Sequence, residues 1–315
     1  MLEIEYAFIG KSDLRVSRLG LGTHQFGASW GVADKEKVKE IVNKALDLGI
    51  NFIDTAETYN DGIAEKYIGE ILKQRGDRDE IVIATKVSSE HLRYREVIKA
   101  ANKSLERLQT SYIDLYQIHW PDPYVPVKET IKALDRLVDK GKIRYIGLSN
   151  FPPCLVKEAI QASKHEIISN QVLYNLLERD IEKEILPKMR KLKISIIAYS
   201  PLAMGFLTPK YYENVNISED DPRQFIPWIR NQENFEYIKT LISAIQAMAD
   251  KYSKTPAQIV LNWLLYQEGI FPIFGVTKIE QLIENIGAMG WRLSNEDWLY
   301  LKRVSDSVRK QLSYW

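Results

Sequence analysis

The sequence predicts an α/β chain closed into a (β/α)8 TIM barrel. Three observations carry that prediction. Eight short runs rich in apolar and β-branched residues recur along the chain, each followed by a helical pattern. They are spaced by roughly 30 residues where no insertion intervenes, the period of a βαβ unit. The glycine fingerprint that an open dinucleotide-binding sheet carries after its first strand is missing: the nearest candidate, Gly20-Leu21-Gly22-Thr23-His24-Gln25, ends in glutamine where the third glycine belongs.

The elements follow in order. Residues 1–17 precede the first strand and are expected to form a hairpin across the barrel floor. Strands are read at 18–22, 51–54, 81–86, 113–119, 143–149, 167–171, 195–199 and 271–275. Helices are read at 35–48, 64–74, 95–108, 127–140, 155–163, 181–191, 235–252 and 257–267, with a ninth at 279–289 and a partly helical tail at 294–315. Thr255-Pro256 gives an N-cap followed by proline at the first helical position. Gly49 and Gly141 stand where helix ends call for a left-handed residue. The insertion at 208–234, with Asp220, Asp221, Pro222, Arg223, Pro227 and Trp228, reads as a long functional loop after strand seven. No Pro/Ser-rich linker divides the chain, so 1–315 is read as one domain.

Composition narrows the partners. The chain has 315 residues, with 43 Lys+Arg against 42 Asp+Glu and a net charge of +1. That balance argues against nucleic acid, which selects a cationic excess. Cys154 is alone, which excludes a disulfide scaffold and a cysteine-based zinc site and fits a reducing cytoplasm. No signal-peptide pattern opens the chain, and no run of about 18 apolar residues suits a bilayer. The expectation is a cytoplasmic protein, monomer or homo-oligomer, acting on a small molecule.

In such barrels chemistry sits at the C-terminal ends of the strands. The residues closing the eight runs are Gly22-Thr23, Asp54, Lys86, His119, Ser149-Asn150, Gln171, Tyr199-Ser200 and Gly275, with Tyr59 in the loop above the second strand. Each has an ordinary reading: Asp54 as a helix N-cap, Lys86 as a lysine reaching solvent, His119 as a core imidazole, Tyr59 as a rim aromatic. Those readings must jointly explain four such groups at strands two, three and four. Together they suggest acid–base work at a carbonyl. A phenol has a pKa near 10; a neighbouring ammonium lowers it, a carboxylate holds the ammonium, and a neutral imidazole orients the carbonyl oxygen. None of these groups supplies a hydride, so a cofactor is required.

These residues stand in runs that resemble the aldo-keto reductases. Asn51-Phe-Ile-Asp54-Thr-Ala-Glu-Thr-Tyr59, Ala84-Thr-Lys86, Asp114-Leu-Tyr-Gln-Ile-His119-Trp-Pro-Asp, Ile146-Gly-Leu-Ser149-Asn150-Phe, Asn170-Gln171, Ala198-Tyr199-Ser200-Pro-Leu and Gly275-Val-Thr277-Lys278-Ile-Glu-Gln281-Leu-Ile-Glu284-Asn285 occur in the family's order. The pattern is similar to bacterial and archaeal general reductases and to potassium-channel β-subunits. The resemblance implies reduction of aldehydes and ketones with NADP(H), preferred over NAD(H). It makes Tyr59 the general acid, Lys86 and Asp54 its tuning pair and His119 the orienter. It assigns Ser149, Asn150 and Gln171 to the nicotinamide carboxamide and Tyr199 to stacking on its ring. Gly22, Thr23, Asp54 and Gly275 are further cofactor contacts. Ser200, Leu202 and Gly205 would line the pyrophosphate path, with Lys210 and Arg223 folding over it. Thr277, Lys278, Gln281, Glu284 and Asn285 match the adenosine end. The substrate pocket is drawn from His24, Trp30, Tyr59, His119, Trp120 and Trp228; His24 stands where relatives often have tryptophan. Two alternatives stay open: a cofactor-binding regulatory subunit resembling channel β-subunits with little turnover, and a lyase with Lys86 as a Schiff base, which requires Lys86 without Asp54 beside it.

Overall fold

The computed structural model describes residues 3–28, 31–209, 223, 226, 231 and 233–312. Strands β1 (Tyr6–Phe8) and β2 (Arg15–Ser17) pair antiparallel, Ala7 opposite Val16, as the expected hairpin. The barrel follows: β3 (Gly20–Gly22), β4 (Phe52–Asp54), β5 (Val82–Val87), β6 (Ile113–Ile118), β7 (Ile143–Ser149), β8 (Ile167–Leu173), β9 (Ser195–Tyr199) and β10 (Ile270–Phe274). Each pairs in parallel with the next, and β10 returns to β3 through Ile273 and Gly20, closing the sheet. Helices α1 (Lys35–Asp47), α2 (Ile63–Arg75), α3 (Tyr94–Arg107), α4 (Val127–Asp139), α5 (Pro153–Ala162) and α6 (Ile185–Leu192) occupy the crossovers. Between β9 and β10 lie α7 (Glu233–Tyr252) and α8 (Pro256–Leu265), and α9 (Ile279–Ile286) and α10 (Asn295–Arg309) complete the chain.

The helix ends follow their local chemistry. Thr255 and Gln258 form a reciprocal capping box at the start of α8, with Pro256 in its first turn. Gly49 and Gly141 take φ of 93° and 65° beyond α1 and α4. The helix read at 181–191 divides. Asp180–Glu182 form a 3-10 turn, and α6 begins at Ile185. Pro187 lacks the N–H that a continuous helix would donate to Lys183. The Glu182 carboxylate is also turned inward, accepting Arg179 Nε and Nη2 at 2.8 Å and the Tyr174 hydroxyl at 2.8 Å.

Alternation along the strands sorts side chains between the barrel interior and the helix layer. Phe52, Val82, Ala84, Leu115, Ile197, Phe271 and Ile273 form an inner cluster, closed from below by Ile9, Leu14 and Val16 of the hairpin segment. Gly20 makes room there: a Cβ would lie 2.5 Å from Phe52 Cδ1. The register of β7 with β8 shifts between Ile146 and Gly147, which pair with Ile167 and Ser169. The extra residue, Ile168, joins the same inner cluster. This bulge resets the alternation so that Gln171 reaches the interior near the rim. Most of the long loop after β9 lies outside the described residues, as do Trp30, Lys210 and Trp228. Among the described residues, no helix is long and apolar enough to cross a membrane.

Candidate active site

Three strand ends and one loop build a polar cluster at the C-terminal rim. Asp54 ends β4, Lys86 lies near the end of β5, and His119 directly follows β6. Asp54 and Lys86 are 0% exposed. An isolated buried ammonium would shed its proton, since burial alone disfavours its charge. Here Lys86 Nζ donates to Asp54 Oδ1 at 2.5 Å, to the Thr55 carbonyl at 2.7 Å and to the Tyr59 hydroxyl at 3.0 Å. Burial pulls its pKa down, but Asp54 and Tyr59 outweigh burial and hold it above the ordinary lysine value. The other Asp54 oxygen accepts Gln117 Nε2 at 3.1 Å and Gln171 Nε2 at 2.7 Å. The carboxylate is thereby satisfied on both oxygens.

Tyr59 corrects one expectation. Its hydroxyl was expected below the ordinary phenol value because of Lys86. Burial pushes it up more than the Lys86 charge and hydrogen bond pull it down, and Asp54 adds to the rise, so the net shift is upward. A raised value keeps the proton on the phenol at neutral pH, the form a proton donor must hold. Two imidazoles flank the ring edge-on, His24 at 4.9 Å and His119 at 5.9 Å between centroids. Burial, then Lys86 and His24, lowers His119 to about 3. Burial and Lys86 also lower His24. His119 is therefore neutral at pH 7, with one ring nitrogen to donate and one to accept.

The remaining expected residues fall into three groups. Ser149, Asn150, Gln171 and Tyr199 gather at the same rim: Tyr199 donates to Asn150 Oδ1 at 3.1 Å, and Asn150 Nδ2 donates to the His119 carbonyl at 3.1 Å. Burial raises the Tyr199 hydroxyl to about 12, so it stays protonated. Asn150 and Ser200 are left-handed, and the turn from Ala203 to Gly205 is left-handed throughout, at φ 48°, 54° and 98°. A second group clusters at α9. Lys278 is its exposed N-cap residue with no side-chain cap, and Thr277 N donates to Gln281 Oε1 at 2.8 Å. Glu284 is half-buried and Asn285 buried on the same helix. A third group also makes structural contacts. Thr23 and Asp54, expected as cofactor contacts, are both 0% exposed, and Thr23 Oγ1 donates to the Asp54 carbonyl at 3.0 Å. Gly275 and Gly22 frame Gln25, whose Nε2 donates to the Gly22 and Val276 carbonyls; a Cβ at Gly275 would lie 2.6 Å from Gln25 Oε1. Leu202 and Arg223 are half-buried, and Trp120 stands 50% exposed beyond His119.

Gln117 was missed in sequence, because one amide inside an apolar run gives no signal until the alternation points it inward beside Asp54. Gly147 admits it: a Cβ there would lie 2.7 Å from Gln117 Cγ. A cavity of about 440 Å3 lined by Tyr112, Lys140, Lys142 and Arg144 opens near the start of β6 and β7, at the opposite end of the barrel, and touches none of these groups.

The fold is a closed (β/α)8 barrel with a Lys–Asp–Tyr cluster and a neutral imidazole on its C-terminal rim, where barrel enzymes carry their chemistry. Residues 18–306 match the model of the Aldo/keto reductase family, and the chain belongs to that family of carbonyl-reducing oxidoreductases. It is 36% identical over 305 residues to the aldo-keto reductase YhdN of Bacillus subtilis (strain 168), covering 93% of this chain and 91% of that protein. Two solved structures are similar throughout. The glycerol dehydrogenase AKR11B4 from Gluconobacter oxydans superposes with a TM-score of 0.89 at 30% identity, over 98% of this chain and 97% of its own. An aldo/keto reductase from Klebsiella pneumoniae, solved in complex with NADP and acetate, gives 0.74 at 30% identity over 94% of each.

Proposed function

We propose that the chain acts as one cytoplasmic domain, reducing aldehydes or ketones to alcohols with NADPH and using Tyr59 as the proton donor. The observation that carries this is the Lys86 ammonium held between the Asp54 carboxylate at 2.5 Å and the Tyr59 hydroxyl at 3.0 Å. As charge builds on the carbonyl oxygen, Tyr59 gives up its proton. Lys86 stabilises the phenolate left behind, and Asp54 keeps Lys86 charged through the exchange. His119, neutral at pH 7, donates an N–H to the same oxygen and fixes its direction. Bound NADPH supplies the hydride.

The rim groups fit such a cofactor. Gln171 Nε2 is committed to Asp54, leaving its amide oxygen to accept from a carboxamide, beside Ser149 and Asn150. Tyr199 offers a ring face at the rim. At the other end, Lys278 and the uncapped start of α9 present positive charge suited to a phosphate. The Klebsiella relative's NADP supports the same cofactor class. The Schiff-base alternative loses its premise, because Asp54 sits on the Lys86 ammonium and favours its protonated form. Fluorescence titration with NADPH, followed by an aldehyde panel monitored through loss of reduced cofactor, tests the reading. Tight binding with no turnover across the panel would favour a regulatory subunit, and no binding would sink both.

A further inference from the structure

The turn that carries Tyr59 to the rim has an unusual backbone. Asn60, Asp61 and Gly62 are consecutive left-handed residues, at φ 49°, 53° and 81°. L-residues visit that region singly, so a run of this kind persists only where its surroundings fix it. Two sets of contacts do so. On one side Asn60 Nδ2 donates to the Gly27 carbonyl at 2.5 Å, tying the turn to the loop after β3. Gly27 is itself left-handed, and a Cβ there would lie 2.6 Å from Asn60 Nδ2. On the other side Gly62 rests on Arg107, where a Cβ would meet Cδ and Nε at 2.7 Å.

Arg107 has little freedom to yield. Its Nε donates to Glu65 Oε2 at 2.6 Å and its Nη2 to Ser104 Oγ at 3.2 Å. Glu65 is fully buried, and its second oxygen accepts Thr85 Oγ1 at 2.6 Å. Thr85 directly precedes Lys86 on β5. The chain Thr85–Glu65–Arg107–Gly62 therefore joins the strand bearing the ammonium to the turn bearing the hydroxyl that it binds. The proton chemistry makes no use of Glu65 or Arg107. Desolvation of Glu65 cancels much of this ion pair's net contribution to stability, so stability alone is a weak account of it.

We propose that Asn60 and the Glu65–Arg107 pair are positioning residues, holding the left-handed turn at 60–62 so that the Tyr59 hydroxyl stays on Lys86. This rests on Tyr59 being the proton donor. Displacement of a reacting group by about 1 Å can cost on the order of 100-fold in rate, so a loosened turn has a measurable consequence.

Asn60→Gly tests the tether, because glycine keeps the left-handed backbone and loses only the side chain. Its turnover per NADPH-binding site is expected to fall roughly tenfold or more. The NADPH dissociation constant should stay near the wild-type value, and the solvent deuterium isotope effect on kcat should rise as proton transfer becomes slower. A lowered melting temperature with unchanged turnover per site and unchanged isotope effect would mean a merely structural role and overturn the proposal. Arg107→Ala would strand a buried carboxylate and threaten folding, so the pair is tested by E65Q/R107Q, which removes both charges together. The same rise in isotope effect is expected there, and wild-type kinetics would remove the pair from the proposal. Tyr59→Phe is run alongside. Retained turnover in that variant would overturn the donor assignment and this proposal together. Lost turnover there with wild-type behaviour in Asn60→Gly and E65Q/R107Q would overturn the positioning role alone.

Discussion

The two ends of the barrel are built from the same strands and differ in what those strands point inward. At the floor, Phe52 of β4, Val82 of β5 and Leu115 of β6 meet Ile9, Leu14 and Val16 in an apolar plug. Two residues further along β4 and β6, and four along β5, the inward positions are Asp54, Gln117 and Lys86, joined by hydrogen bonds of 3.1 Å or less. One end minimises free energy by excluding water. The other buries charge, which requires every donor and acceptor to be met. Stability and chemistry are thereby separated along a single axis, and substitutions at the two ends should report on different properties.

The largest expected effect lies at the rim. Tyr59→Phe removes the proton donor and should cut turnover by roughly a thousandfold, while NADPH binding and melting temperature stay close to wild type. A phenylalanine variant with near-normal turnover on an unactivated aldehyde would break the assignment.

Lys86→Met tests whether the rim is purely chemical. It leaves Asp54 buried without its counter-ion, so it should reduce activity sharply and also destabilise by about 3–5 kcal/mol. Tyr59 already lies above its ordinary value, and loss of the ammonium raises it further, so the alkaline limb of any residual activity should move up. Denaturant titration and a pH–rate profile check both halves; a profile that stays in place would return Lys86 to a structural role.

Leu14→Ala is the reciprocal experiment at the floor. Leu14 is 1% exposed within the plug. Its truncation should cost about 2–5 kcal/mol by chemical denaturation with kcat and KM unchanged. A drop in kcat for the folded enzyme would show that the two ends are coupled.

Lys278→Ala probes the far edge of the rim. NADPH binding should weaken about tenfold, the scale of one charge-assisted contact. NADH binding should change little, and added salt should narrow the gap. Equal loss for both cofactors would remove Lys278 from cofactor choice. A pH-dependent effect concerns His119. Its value is held at about 3, against an ordinary 6.5, so between those pH values the unfolded chain binds a proton that the folded protein refuses. That contribution is complete above the unfolded value and is lost as pH falls through the window. The melting-temperature advantage of wild type over His119→Gln should therefore shrink from about pH 7 to about pH 4, and a constant difference would contradict the neutral imidazole.

Much of this was legible in sequence, and the exceptions have physical reasons. Asp54, Lys86 and His119 were visible because an ionisable residue directly after an apolar run is anomalous. Gln117 was not, since a neutral amide there looks like any other strand residue. The direction of the Tyr59 shift depends on desolvation, which a linear sequence does not display. The division at Glu182 and Ile185 follows from Arg179 drawing a carboxylate inward, a contact that also involves Ser305 far along the chain. The bulge at Ile168 lies where Gly10 approaches: a Cβ on Gly10 would sit 2.3 Å from the Ile168 carbonyl. Neither segment signals the other in sequence.

The seam between β3 and β10 has a consequence for biosynthesis. Arg18 donates to the carbonyls of Leu265 and Gln267, contacts spanning 247 and 249 residues, beside the pairing of Gly20 with Ile273. A ribosome releases the first strand long before its last neighbour exists. Until α8 and β10 emerge, one edge of β3 has no strand to bond, and the nascent sheet is an open ribbon exposed to unwanted pairing. Closure is a late, non-local event whose loop entropy must be met before its contacts form. The last quarter of the chain thus acts as the clasp that commits the molecule to its native state.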